Sequence, residues 1–342
     1  MKRYIEINRK YLLIPVCAEK EVKTVSVLCR NEKIFEFAVP MHDRESGFYS
    51  FHYFAPVNVE KYQGKTFLIE GEIPRSFLDA VSLCDSIPEN TQPHPLIHFA
   101  PDTGWMNDPN GLIYQDGIYH MYFQQNPFDT RWENMCWGHA VSRDLLHWEQ
   151  KETALYPDSD GVVYSGSGIV NEHGMLGLPK DAHIFFYTCA GNKSKWSLGK
   201  TFNQRIAYST DGGKNILKLE GSVVKHISEE NRDPKVYWHE GSKAYYMVLY
   251  LKANDFMILR SRDLKSWKKT QVLTLDQASE CPDLREVPVE GGGSRWMFWT
   301  ADGFYFLGDF DGYEFKSDGV RHEAYLTGIP YAAQTIWGTE DI

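Results

Sequence analysis

The sequence predicts an all-β protein in two parts, a small sandwich followed by a propeller. Three observations carry that prediction. Residues 1 to about 90 alternate apolar and polar positions in short runs, hairpins with Gly-containing turns recur beyond residue 96, and a weak repeat spaces them at blade-sized intervals. No stretch shows sustained helical periodicity.

In the first part the alternating runs are 24–28, 33–37, 48–54 and 66–70, separated by polar and Pro/Gly breaks. Its aromatics, Phe48, Tyr49, Phe51, Tyr53 and Phe54, read as core. The segment 87–95, IPENTQPHP, has the composition of a linker and places a boundary between an accessory domain at 1–92 and a second domain at 93–342. Hairpins then follow around Asp116-Gly117, Glu240-Gly241 and Asp302-Gly303, each between aromatic-rich strands. The repeat appears in HAVSRDLLHWE (139–149), IAYSTDGGKN (206–215) and ILRSRDLKSWKK (258–269), where a strand runs into Ser-x-Asp. Its Ser-to-Ser intervals of 67 and 52 residues leave room for about four strands per unit, the content of a propeller blade. A sandwich array with chance similarity at its turns is the alternative.

Composition narrows the function. Tyr, Phe and Trp make up 14% of the 342 residues, which suits strands and surfaces that stack on flat ligands such as sugar rings. A net charge of −10 without any basic block argues against nucleic acid. No apolar run is long enough to span a membrane, and the start lacks the pattern of a signal peptide, so a cytoplasmic location is the expectation. The six cysteines have no CxxC spacing and read as buried thiols. P-loop, GxGxxG, GxSxG and HExxH patterns are missing, and neither cofactor nor metal is expected.

Three acids stand in conspicuous settings: Asp108 in WMNDPNG, Asp233 in NRDPKV and Glu280 in SECPDL. WMNDPNG reads as a turn, from its Asx residues, proline and glycine. Asp108 and Asp233 directly precede prolines, which should hold them extended and fix the direction of their side chains. Taken singly, each motif is a common turn opener. Carboxylates drawn from separate blades would meet at a propeller's axis, and a pair of them is what hydrolysis of a glycosidic bond requires. A retaining enzyme holds the pair ~5–5.5 Å apart, one as nucleophile and one as acid and then base.

These motifs, in this order, resemble the signatures of glycoside hydrolase family thirty-two, the β-fructosidases that include invertases, levanases and inulinases. HFAPDTGWMNDPNGLIY, YFQQNPFDTRWENMCWGHAVSRDLLHW, YSGSGIV, NRDPKVYW and YAAQT extend the likeness over residues 93–342. The resemblance implies a five-bladed propeller and retaining hydrolysis of terminal β-D-fructofuranosyl linkages in fructans, fructo-oligosaccharides or sucrose. It implies Asp108 as nucleophile, Glu280 as acid/base and Asp233 as transition-state stabiliser, with Asn107, Gln124, Trp132, Tyr164, Ser165 and Arg232 binding substrate. Glu280 should then have a raised pKa while Asp108 stays ionised. Two features depart from the family pattern: the sandwich ahead of the propeller, and an end soon after YAAQT that leaves the last blade incomplete. Two rivals stay open, an inverting arabinan- or xylan-active five-bladed glycosidase, and a non-catalytic carbohydrate-binding protein on a shortened propeller.

Overall fold

A computed structural model describes residues 1–42, 50–89 and 94–339. Strands β1 (Lys2–Glu6), β2 (Tyr11–Val16), β3 (Glu21–Cys29), β4 (Glu32–Met41), β5 (Tyr53–Asn58), β6 (Thr66–Glu70) and β7 (Ser82–Cys84) build two facing antiparallel sheets. Their orders are β1-β6-β3-β4 and β5-β2-β7. Alternation does the work: Val25, Val27, Phe35, Phe37, Phe67 and Ile69 point inward against Leu12, Ile14, Val16, Ala55 and Val57. The short helix α1 (Arg75–Ala80) closes one end with Phe77 and Leu78.

The runs at 24–28, 33–37 and 66–70 fall in β3, β4 and β6. The run at 48–54 does not, since β5 starts only at Tyr53 and Phe48 and Tyr49 lie outside the described residues. Phe51 and Tyr53 do pack on the core. Residues 90–93 of the expected linker also lie outside the described residues.

The rest of the chain is a propeller. Its first blade is β8 (Trp105–Gln115), β9 (Ile118–Asn126), β10 (Cys136–Ser142) and β11 (Trp148–Gln150). The second is β12 (Val162–Val170), β13 (His183–Ala190), β14 (Asn203–Ser209) and β15 (Leu217–Lys218). The third is β16 (Arg232–His239), β17 (Ala244–Lys252), β18 (Asp255–Ser261) and β19 (Lys268–Thr274). The fourth is β20 (Asp283–Pro288), β21 (Ser294–Trp299), β22 (Phe304–Phe310) and β23 (Phe315–Glu323). Each blade is an antiparallel meander, and the leading strand of one packs beside the leading strand of the next, as β8 does with β12 and β12 with β16.

The repeat has a local cause. Each copy ends the third strand of a blade, where Ser142, Ser209 or Ser261 caps the turn with its hydroxyl and Asp144, Asp211 or Asp263 accepts backbone N–H groups further on. The fourth blade turns the same way on Asp311, which accepts from Tyr313 and Glu314. Asp309 stands where the others have serine, which hid this copy in the sequence.

A fifth four-stranded sheet is not formed among the described residues. Its place between β20 and β8 is taken by a strap at 331–339. Trp337 exchanges backbone bonds with Leu112 and Tyr114 of β8, while Arg285 of β20 donates to the carbonyls of Ile336 and Thr339. Beneath it a buried pair, Lys235 and Asp283 at 3.2 Å, anchors Thr335: Asp283 accepts from both its N–H and its hydroxyl.

No helix among the described residues is long and apolar enough to cross a membrane. All six cysteines are free thiols, five of them buried.

Candidate functional site

The motif WMNDPNG is not a turn. It forms the first half of β8, an innermost strand whose pairing with β9 slips twice, between Met106 and Pro109 and between Asn110 and Ile113. Such bulges tolerate a proline inside a sheet and re-aim side chains. Gly111, with φ +53°, has no room for a Cβ, which would lie 2.9 Å from Tyr122 and 3.2 Å from Trp137. The inner strands β12 and β16 slip at the same end, at Tyr164/Gly166 and Arg232/Lys235. Ser165 is the extra residue of β12, and its hydroxyl donates to Asp108 Oδ2 at 2.7 Å.

Asp233 departs from expectation. A residue before proline should be extended, yet Asp233 has φ +60°, and Glu280 and Cys281 follow at +51° and +40°. Strain of this kind persists only where the surroundings hold it. Here Thr188 Oγ1 accepts from the Asp233 N–H at 3.2 Å, and the Cys281 N–H donates to Asp233 Oδ2 at 3.0 Å. The Cys281 thiol lies 3.8 Å from Asp108 and 3.7 Å from Asp233, so one residue spans the two aspartates and carries Glu280 as its neighbour. Glu280 itself is held at both oxygens, by Arg232 Nη2 at 2.5 Å and the Tyr331 hydroxyl at 2.7 Å.

Arg232 thus pairs with Glu280 and lies 3.9 Å from Asp233. Arg232 also lies over the Tyr250 ring at 4.6 Å and reaches Glu230. Burial raises the Asp108 carboxyl above its ordinary value, with Glu280's charge adding and the Ser165 bond opposing. Burial pushes Asp233 up to about 7 despite Arg232 beside it. At Asp108 the direction runs against the expectation of a carboxyl kept readily ionised by its hydrogen bonds, because burial outweighs the bond from Ser165. Asp108 Oδ1 is buried and has no hydrogen-bond partner among the described residues.

The auxiliary residues divide. Ser165 and Arg232 touch the acids directly. Tyr164 stands beside them, half-buried, with Trp132 edge-on at 6.0 Å and 48% exposed. Asn107 is exposed on the strand before Asp108. Gln124 is buried and gives its amide to Val163 O, which ties the first blade to the second. Sequence reasoning missed Cys281, Tyr331, Thr188 and Asn110, whose amide bridges Asp108 O and the Gly166 N–H. Asn110, Cys281 and Tyr331 lay inside the segments WMNDPNG, SECPDL and YAAQT already singled out, and only Thr188 lay outside them.

A cavity of about 520 Å³ adjoins the acids through Arg232 and Tyr250, with Glu229, Glu230 and Lys252 on its wall. A wider cleft of about 2140 Å³ between the sandwich and the first two blades contains none of the three acids. No group of three or more His, Cys, Asp or Glu residues is arranged to hold a metal among the described residues.

The chain is similar to known proteins over most of its propeller. The family described as glycosyl hydrolases family 32 N-terminal domain matches residues 98–341. A levanase of Bacillus subtilis (strain 168) is 36% identical over 71% of this chain and 38% of its own length. An invertase of Debaryomyces hansenii is 38% identical over 72% of this chain and 50% of its own. Among solved structures, a fructofuranosidase from Schwanniomyces occidentalis complexed with fructose superposes with a TM-score of 0.60 at 36% identity, covering 66% of this chain and 48% of that one. An exo-inulinase from Aspergillus awamori gives 0.60 at 30% identity, over 67% and 52%. The chain spans half or less of the length of those two curated relatives.

Proposed function

Since the chain belongs to glycosyl hydrolase family 32, we propose that it hydrolyses terminal β-D-fructofuranosyl linkages with retention of configuration. The observation that carries this reading is Asp108: a buried carboxylate with Oδ2 anchored by Ser165 and Oδ1 without a partner among the described residues, in contact through Cys281 with a second acid and beside a third. Asp108 Oδ1 attacks the anomeric carbon of the fructosyl unit while Glu280 delivers a proton to the departing oxygen. The covalent fructosyl ester is then opened by water, from which Glu280 takes a proton. Asp233 holds fructosyl hydroxyls and offsets the positive charge that develops on the ring.

Arg232 links the parts. Its bond to Glu280 sets the acid's direction, and its charge keeps three carboxyl groups compatible within one pocket. The cavity beyond Arg232 and Tyr250 offers room for the sugar unit that leaves. Incubation with sucrose, inulin and levan, followed by separation of products, tests the proposal. Release of free fructose from at least one, with the β-anomer formed first by NMR, is the expected result. No fructose from any of the three overturns the reading, and initial formation of the α-anomer overturns retention.

A further inference from the structure

The sandwich does not simply precede the propeller; it grips two of its loops. Strand β4 is the open edge of its sheet, and at Ala38 that edge is met by a side chain instead of a strand. Asn134 accepts from the Ala38 N–H at 2.7 Å and donates to the Ala38 carbonyl at 2.8 Å, the pair of bonds a neighbouring strand would make. Phe128, in the same loop between β9 and β10, is fully buried in the sandwich core and stacks on Phe37 at 4.0 Å. Arg131 reaches Lys20 O at 3.2 Å. Trp132 lies between these three anchors.

A second grip acts on the loop between β13 and β14. The Glu36 carboxylate, with only 7% of its side chain exposed, accepts from the Trp196 N–H at 2.7 Å, and Lys33 lies over the Trp196 ring at 5.6 Å. That loop carries Lys193, which pairs with Glu230 at 3.0 Å, and Glu230 in turn binds Arg232. The two loops meet at Tyr164, which has Trp132 edge-on at 6.0 Å and Phe202 edge-on at 5.5 Å.

We propose that the sandwich is a working wall of the saccharide site, its β4 edge positioning the loops that hold Trp132 and Tyr164 against sugar units. The proposal rests on the hydrolase reading above. Asn134 and Glu36 are positioning residues in it, since neither touches an acid. Ordered loops need little further ordering when a ligand binds, so loosening them weakens binding before it slows chemistry.

The test uses the full chain and whichever of the three saccharides it cleaves. Asn134→Ala is expected to raise KM about tenfold with kcat within about twofold, and to speed amide hydrogen exchange in peptides covering 127–135. In a Trp132→Ala background the same change should add little to KM, because both act through one side chain. Glu36→Ala, which removes the acceptor of the Trp196 N–H and the partner of Lys33, provides a second variant and should speed exchange at 192–199. Unchanged exchange in both loops overturns the proposal, as does faster exchange with unaltered KM. Multiplicative KM effects in the double variant overturn it too. An unaltered protein that releases no fructose is recognised before any variant is made, and defeats the hydrolase reading itself.

Discussion

Two clusters of buried titratable groups lie in this propeller, and they are built on opposite terms. Asp108 and Asp233 sit where inner strands bulge and Glu280 just ahead of β20, with φ above zero at Asp233 and Glu280 and with an oxygen of Asp108 that has no partner among the described residues. His120, His139 and His183 sit on the regular strands β9, β10 and β13 of the first two blades. There His120 Nδ1 and His139 Nε2 share a hydrogen at 3.2 Å, His139 stacks on Tyr122 at 4.2 Å, and His183 bonds Gln115. Burial holds His120 and His183 down at about 4 and His139 well below its usual value, and the nearby Lys151 reinforces this for the first and last named. The imidazoles stay neutral and behave as flat core residues. The acids keep their charge problem unsolved, and an unsolved charge beside a reactive oxygen is what a sugar's developing cation can use.

Removing the reactive oxygen should break the contrast most sharply. Asp108→Ala is expected to lower fructose release on the order of 10⁴-fold while the protein still unfolds cooperatively; substantial turnover would show that Asp108 is merely another buried carboxylate. The next largest effect concerns stability. Asp283→Ala strands the buried Lys235 cation, 4% exposed, and should cost about 3–5 kcal/mol in urea unfolding. A loss near zero would mean that buried charge here is indifferent to its partner.

A third experiment follows Asp233. A carboxyl raised from near 3.8 to about 7 on folding favours the folded state below the unfolded value, and that contribution is lost as pH rises through about 7. Asp233→Asn should therefore raise the melting temperature at pH 8 by about 2–4 °C and change it little at pH 3, while fructose release collapses. For the unaltered protein, kcat/KM should rise as pH climbs through about 7, where Asp233 becomes the anion that offsets the ring's developing charge. A profile flat across that region would remove the basis for the raised value.

A fourth experiment, read in stability alone, concerns the histidines. Their folded values lie below the unfolded one, so the stability they contribute is present above about 6.5 and is lost as pH falls toward about 4. His139→Phe keeps the ring against Tyr122 and removes one titrating group. Its melting temperature should drop less than that of the unaltered protein between pH 7.5 and 5, by about 2–4 °C. An equal drop would place acid sensitivity elsewhere.

Much of this was legible in the sequence, and the misses have reasons. Period-two alternation marked β3, β4 and β6, because each has one face on a core. Asp116-Gly117 and the Ser-x-Asp copies marked hairpins and blade ends, since turn chemistry is local. The three acids announced themselves by their proline neighbours, but the geometry behind the signal was misread. WMNDPNG lies in a strand because bulges absorb its proline and glycine, and Asp233 takes a left-handed backbone because Thr188 and Cys281 hold it there. Cys281 and Asn110 lay inside the quoted motifs and Thr188 outside them, but their contacts were illegible because the partners sit in other blades. The sandwich's grip on Asn134 was equally invisible, as a lone asparagine in a loop carries no mark of the strand edge it meets.

The strap that fills the fifth position has a consequence in time. Gln334 donates to Pro109 O across 225 residues, and Trp337 pairs with β8 from the same distance along the chain. At ribosomal speeds of about 5–20 residues per second, the seam beside Asp108 stays open for roughly ten to forty-five seconds after its first side has been made. Tyr331 reaches Glu280 only at that late stage. A nascent chain therefore holds Asp108 beside an open seam until residues 331–339 have been made.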